Sequence, residues 1–182
     1  MSGCGISNGI SITCENLKKV GGVNKRVFAA DVDDIESYTF DGSGYVTAIN
    51  FATYGGLREI TGTKKSHTFG SQLSKQQPGG TTFYLHDLTL KLFPDNPEED
   101  SVVEEMGVAD LVFVVQDNNE EFFILGATNG MEQIEGVQNS GAESASDVSE
   151  NLTFQGDEKT KPLRFLDTDF ATSKATLEGY VI

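Results

Sequence analysis

Two apolar runs on either side of a polar hinge constrain this chain more than anything else in its sequence. Leu111-Val-Phe-Val-Val115 is followed by Gln-Asp-Asn-Asn-Glu-Glu and then by Phe122-Phe-Ile-Leu125. Short runs of β-branched and aromatic side chains suit a pleated strand, and Asp-Asn-Asn suits the turn between two of them. A central β-hairpin is therefore expected here.

The residues before this hairpin are punctuated in the same way. Residues 1–25, rich in Gly and Ser, give weak strand signals and look like an N-terminal arm. Arg26–Ala30 is a short strand ending in the acidic turn Asp31-Val-Asp-Asp34. Ile35–Phe40 and Tyr45–Phe51 flank Asp41-Gly-Ser-Gly44, a loop of hairpin length. In the second of these, Val46, Ala48 and Asn50 share one face and Tyr45, Thr47, Ile49 and Phe51 the other. Leu57–Ile60 and the polar, β-prone Thr63–Leu73 come next, then a loop tip at Gln76-Gln-Pro-Gly-Gly80. Thr81–Phe93 is the longest strand expected, with an apolar phase that slips by one residue around His86-Asp87, as a β-bulge would make it do.

One helix is well marked. Asn96 can cap it, Pro97 takes the first position, and Glu98, Glu99 and Asp100 lie at the positive end of its dipole. Val102, Val103 and Met106 form its buried stripe and Gly107 ends it. Strands are expected around Met131–Gly136 and Val148–Phe154, with an exposed loop over 137–147 between them. Residues 160–182 read as a C-terminal tail with a short helical end, Ala171–Leu177. With no internal repeat and no second core, the 182 residues make a single, mainly β domain, a sandwich or partly closed barrel flanked by one helix.

The chemistry-bearing residues are sparse. Catalysis by a nucleophile needs a base within reach, and His67 and His86 sit in strands without a nucleophile or metal motif around them. Cys4 and Cys14, in the arm, read as two reduced thiols rather than as a disulfide or half of a zinc site. Gly21-Gly22, Gly79-Gly80 and Gly42-Ser-Gly44 lack the pattern of a phosphate loop and read as turns. Paired carboxylates are abundant among 28 acids; Asp31–Asp34 and Asp117–Glu121 have clustered oxygens that could hold Ca²⁺ loosely, but neither has a calcium-loop pattern. No catalytic residue, cofactor or metal is expected. No run of about 18 apolar residues is present to cross a membrane. The start Met1-Ser-Gly-Cys-Gly-Ile lacks the basic and apolar parts of a secretory signal, so synthesis in the cytoplasm is expected.

Charge is the other strong signal. The net charge is −15, and between Leu92 and Glu158 there are 17 Asp and Glu with no Lys or Arg. Residues 1–91 hold 9 basic and 8 acidic side chains, and residues 159–182 hold 4 and 3, so the whole excess belongs to the middle of the chain. A surface without cations cannot exchange counterions with nucleic-acid phosphates and repels them instead; the equal alternative is a solvated acidic face that serves solubility alone.

The order of long strand (Thr81–Phe93), capped helix (Asn96–Gly107) and hairpin (Asp110–Gly126) resembles that of the tail-tube proteins of tailed bacteriophages and their relatives in contractile injection machines. Phe122-Phe-Ile-Leu-Gly-Ala-Thr-Asn-Gly-Met-Glu132, Gly3-Cys-Gly-Ile-Ser-Asn-Gly-Ile and Phe165-Leu-Asp-Thr-Asp-Phe-Ala-Thr are similar to stretches of such proteins from phages of Bacteroidetes hosts. The resemblance implies a virion protein whose hexameric rings stack into a tube that conducts DNA without binding it. Its partners would be copies of itself and other tail proteins, with no membrane involved. Glu98, Glu99, Glu104, Glu105, Asp117, Glu120, Glu121, Glu132 and Glu135 become candidates to face the lumen. Gln76, Gln77, Pro78, Phe83, Leu85, Val137, Phe165 and Phe170 become candidates for contacts between subunits. Three rivals differ in class: a head–tail connector, ring or tail-completion protein; a carbohydrate-binding β-sandwich; and an enzyme with an unfamiliar site. The absence of Trp and the presence of only 5 Tyr argue against the second.

Overall fold

The computed structural model describes residues 19–63, 66–75, 80–140 and 148–182. Cys4, Cys14, Gln76, Gln77, Pro78 and residues 141–147 lie outside the described residues, so the expectations placed on them are not addressed.

The chain builds two sheets. Strands β1 (Val23–Asp31), β2 (Ile35–Phe40), β3 (Val46–Phe51), β4 (Arg58–Thr61), β7 (Leu111–Asp117), β8 (Phe122–Leu125) and β11 (Leu163–Phe165) form a seven-stranded sheet in the order β2-β3-β11-β8-β7-β1-β4. Strands β5 (Thr68–Lys75), β6 (Thr82–Leu92), β9 (Glu132–Asn139) and β10 (Ser149–Glu158) form a second sheet in the order β5-β6-β10-β9. The fold is mainly β, and the sheets do not close into a barrel; of the two architectures expected, it is the sandwich.

The hairpin β7–β8 lies at the centre of the larger sheet, and its sequence explains why. Every residue from Leu111 to Val115 is buried. Leu111, Phe113 and Val115 face the four-stranded sheet with Leu88, Leu90, Leu152 and Phe154. Val112 and Val114 face the other way, with Phe28, Ile49, Phe122, Ile124, Phe165 and Leu177. An unbroken apolar run suits a strand with no wet face. The turn between the two strands is made by Asp117, whose carboxylate accepts from Asn119 N–H and Glu121 N–H, both at 2.8 Å.

Helix α1 (Pro97–Met106) begins as its sequence dictates, with the Asn96 side-chain oxygen accepting from Glu98 N–H at 3.1 Å and Glu99 N–H at 3.0 Å. Its buried stripe is narrower than expected. Met106 is buried and Val103 partly so, but Val102 is 49% exposed.

Four other expectations are corrected. First, β6 has no bulge: it pairs in unbroken register with β5 and β10, and His86 itself takes an inward position. Second, residues 160–182 hold, besides the expected helical end, a strand that the sequence did not mark. β11 joins β3 to β8, and a second helix, α2 (Phe170–Gly179), covers the far face of the larger sheet. Third, Val46 and Ile49, placed on opposite faces by simple alternation, share one core, because the β2–β3 register shifts between Thr39 and Phe40 and leaves an extra residue in β3 between Val46 and Ala48. Fourth, Phe165 is 2% exposed inside that core, too enclosed in this chain to touch a neighbour.

Candidate assembly surface

The two sheets bury their faces unequally, and the difference defines the surface most available for function. Along β6, Leu88, Leu90 and Leu92 point inward with His86, while Phe83, Leu85, Asp87, Thr89 and Lys91 point to the other side. The register extends this outer face across the sheet. One row runs Gly70, Asp87, Gln155, Glu132 and the next runs Thr68, Thr89, Thr153, Glu135. Asp157 beside Leu85, and Val137 beside Asn151 and Lys91, complete it. Gly70 has a local reason: a Cβ there would meet the Asp87 carboxylate at 2.6 Å, so the acid lies across a residue with no side chain.

Among the described residues, the face thus carries Asp87, Glu132, Glu135 and Asp157 against one base, Lys91, whose ammonium lies 5.6 Å over the Phe93 ring. Glu132 and Glu135 are the only two of the nine acid candidates found on it. Glu98, Glu99, Glu104 and Glu105 are exposed on α1, at the side of the sandwich. Asp117, Glu120 and Glu121 sit in the β7–β8 turn at one end. There Asp117 is committed to the turn, and Glu121 pairs with Lys19 at 2.8 Å and Arg164 at 3.2 Å. Asp87 escapes the sequence reading because it precedes the base-free segment 92–158, and Asp157 because the strand expected to end at Phe154 runs on to Glu158. Thr82–Leu92 taken as one alternating strand puts Asp87 on the wet face.

Among the described residues, both edges of this sheet are open. β5 and β9, each 8 residues long, have partners on one side only. Leu73 on β5 is 53% exposed and Ile134 on β9 is 56% exposed. Neither strand contains Pro, and the one Lys is Lys75 at the end of β5, so β5 has little of the usual protection against pairing, while β9 is guarded by Glu132 and Glu135. β9 does carry a register shift, between its partners Thr153 and Phe154. Among the contact candidates, Val137 lies on this edge strand, Phe83 and Leu85 on the wet face, and Phe170 against Phe122, stacked at 5.4 Å.

Both histidines serve the packing between strands. The His86 Nδ1 accepts from Gly126 N–H at 3.2 Å, which fixes the proton on Nε2, where it is donated to the Thr160 carbonyl at 3.0 Å. Burial holds this imidazole below its ordinary range, although the Thr160 bond and the charges of Glu158 and Asp87 oppose the shift. The His67 Nδ1 accepts from Lys91 N–H at 3.3 Å, and burial lowers its pKa too. Its Nε2 has no partner of good geometry, although the Lys25 carbonyl is near enough to counter part of that shift.

Nearby, the buried Glu158 carboxylate accepts from Thr128 N–H at 2.8 Å and Asn129 N–H at 2.9 Å, tying β10 to the turn after β8. Burial, and then the Glu158 charge, push the Tyr38 hydroxyl far above its usual range. Among the described residues, no three His, Cys, Asp or Glu side chains converge as a metal site would require. No helix among them is long and apolar enough to cross a membrane. Comparison with protein-family models, with curated proteins and with solved structures gave no match.

Proposed function

We propose that this chain is a structural subunit of the tail-tube type, whose copies join into rings through the edges of the four-stranded sheet and stack into a virion tube that conducts DNA. The observation that carries this reading is a four-stranded sheet with two open edges and an acidic wet face. Each neighbouring pair in the order β5-β6-β10-β9 is antiparallel, so β5 and β9 run in opposite directions. Copies rotated about an axis along the strands would therefore meet β5 against β9 in antiparallel fashion, with four strands from each. Such a head-to-tail contact closes into a ring when the rotation angle allows.

Bulk decides which face turns inward. The larger sheet and α2 lie on one side of the four-stranded sheet and nothing among the described residues lies on the other, so the wet face takes the shorter circumference. Asp87, Glu132, Glu135 and Asp157 would then line the hole. A wall with four acids and one base per copy among the described residues repels phosphates and offers them few counterions to exchange.

Electron microscopy of concentrated protein tests the reading. Tubes are expected, and they should be lost when Leu73→Lys and Ile134→Lys place charge on both edges. Single closed rings would favour a connector, and particles that stay monomeric would refute the assembly.

A further inference from the structure

Among the described residues the larger sheet also has an open edge, and it lies in a groove. β4 pairs with β1 on one side. On its other side, Leu57 N–H donates to the Tyr180 carbonyl at 2.8 Å and Ile182 N–H donates to the Leu57 carbonyl at 3.1 Å. Main-chain groups alternate in direction along a strand, so Glu59 and Thr61 turn their N–H and C=O the same way as Leu57, away from β1. Among the described residues nothing continues the ladder past Leu57 to meet them.

Helix α1 stands opposite this edge. Two clefts, of about 600 Å³ and about 410 Å³, join along Glu59, Ile60, Val102 and Met106 into one groove. Its walls are apolar at Ile60, Met106 and the half-exposed Val102. Its lining carries Asp31, Asp34, Glu59, Asp95, Glu99 and Glu105 with one base, Arg58. Such a slot suits an extended segment that supplies main-chain hydrogen bonds to β4, alternate apolar side chains to α1, and no carboxylates.

Residues 1–14 meet that description. The first 14 contain no Asp or Glu, and Ile10-Ser-Ile-Thr-Cys14 puts Ile10, Ile12 and Cys14 on one face of a strand. The direction in which the chain enters β1 says which copy would receive them. Asn118 Nδ2 donates to the Gly21 carbonyl at 2.9 Å, Val20 N–H to Asn119 Oδ1 at 2.7 Å, and Lys19 pairs with Glu121. Traced back from β1, the chain therefore crosses the β7–β8 turn toward β8 and β11, on the opposite side of β1 from β4. Extended, 18 residues reach roughly 60 Å, ample to leave the molecule. We propose that residues 10–14 of one copy pair with the outer edge of β4 in a second copy, filling the groove under α1. This exchange would link copies whether or not β5 and β9 also join, so it does not rest on the ring.

Val102→Cys in a Cys4→Ser chain leaves Cys14 as the one native thiol to meet it. Under oxidised glutathione, a ladder of disulfide-linked chains is expected on a non-reducing gel. It should vanish with Cys14→Ser and fall severalfold with Thr61→Pro, which removes an outward N–H that the fold does not use. An excess of a synthetic peptide of residues 1–15 should suppress it as well. The same ladder is expected in the Leu73→Lys, Ile134→Lys chain, so failure of ring closure and failure of arm exchange are read separately. A disulfide confined to single chains, no cross-link at all, or a ladder indifferent to Thr61→Pro and to the peptide would overturn the proposal.

Discussion

The seven-stranded sheet and the four-stranded sheet use the same backbone for opposite ends. β7, at the centre of the first, is covered on both faces and is apolar without interruption from Leu111 to Val115. β6, at the centre of the second, is covered on one face, and its other face bears Asp87, Thr89 and Lys91. A strand sealed on both sides can only stabilise the molecule. A strand with one wet face, in a sheet with two open edges, has surface left with which to meet something else.

The largest expected effects come from the sealed sheet. Phe113 is fully buried between the sheets, with its ring 4.8 Å from that of Phe154. Phe113→Ala should lower unfolding free energy by about 3–5 kcal/mol in urea titration. If it cost no more than a wet-face change, the contrast between the sheets would be lost.

Glu158→Ala comes next. It strips two main-chain N–H groups of their acceptor, at a residue 2% exposed, and should cost about 1–3 kcal/mol. A neutral result would mean that water replaces the carboxylate and that this junction is looser than its geometry.

Acid should weaken the fold at its histidines. His67 and His86 both have folded pKa values below the ordinary 6.5, so the unfolded chain takes up protons first as pH falls. Their contribution to stability is complete above about pH 6.5 and declines as pH drops below it, toward the lowered folded values. The thermal midpoint should therefore fall between pH 7 and pH 5, and His86→Gln should shrink that fall. A His86→Gln chain with an undiminished fall would place the sensitivity elsewhere.

The smallest effect belongs to the wet face. Leu85→Ala should cost about 1 kcal/mol or less, because the side chain is only partly covered in the isolated chain. A larger loss that grows with protein concentration would sharpen the comparison, by showing that association buries this face.

The same contrast explains what can be read from sequence. Leu111–Val115 and Phe122–Leu125 are legible by themselves, since an apolar run has few ways to be satisfied. Asn96 and Pro97 fix the start of α1 by local chemistry alone. The phase of β6 is hidden because His86, a polar residue, takes an inward position, and what permits it is tertiary: Gly126 N–H and the Thr160 carbonyl, remote in sequence, engage both ring nitrogens. β11, with only three residues, becomes a strand because β3 and β8 flank it, so Phe165 looks free in the sequence and is enclosed in the fold. The candidate acids scatter for the same reason. Charge count locates the excess, but only strand register assembles Asp87, Glu132, Glu135 and Asp157 on one face.

Hydrogen exchange at the two free edges tests most directly whether the smaller sheet joins copies. Amides of β5 and β9 should exchange markedly more slowly in concentrated than in dilute protein, with β2, the other outer strand of the larger sheet, as the unchanging reference. Equal exchange of β5 and β9 at both concentrations would contradict the account.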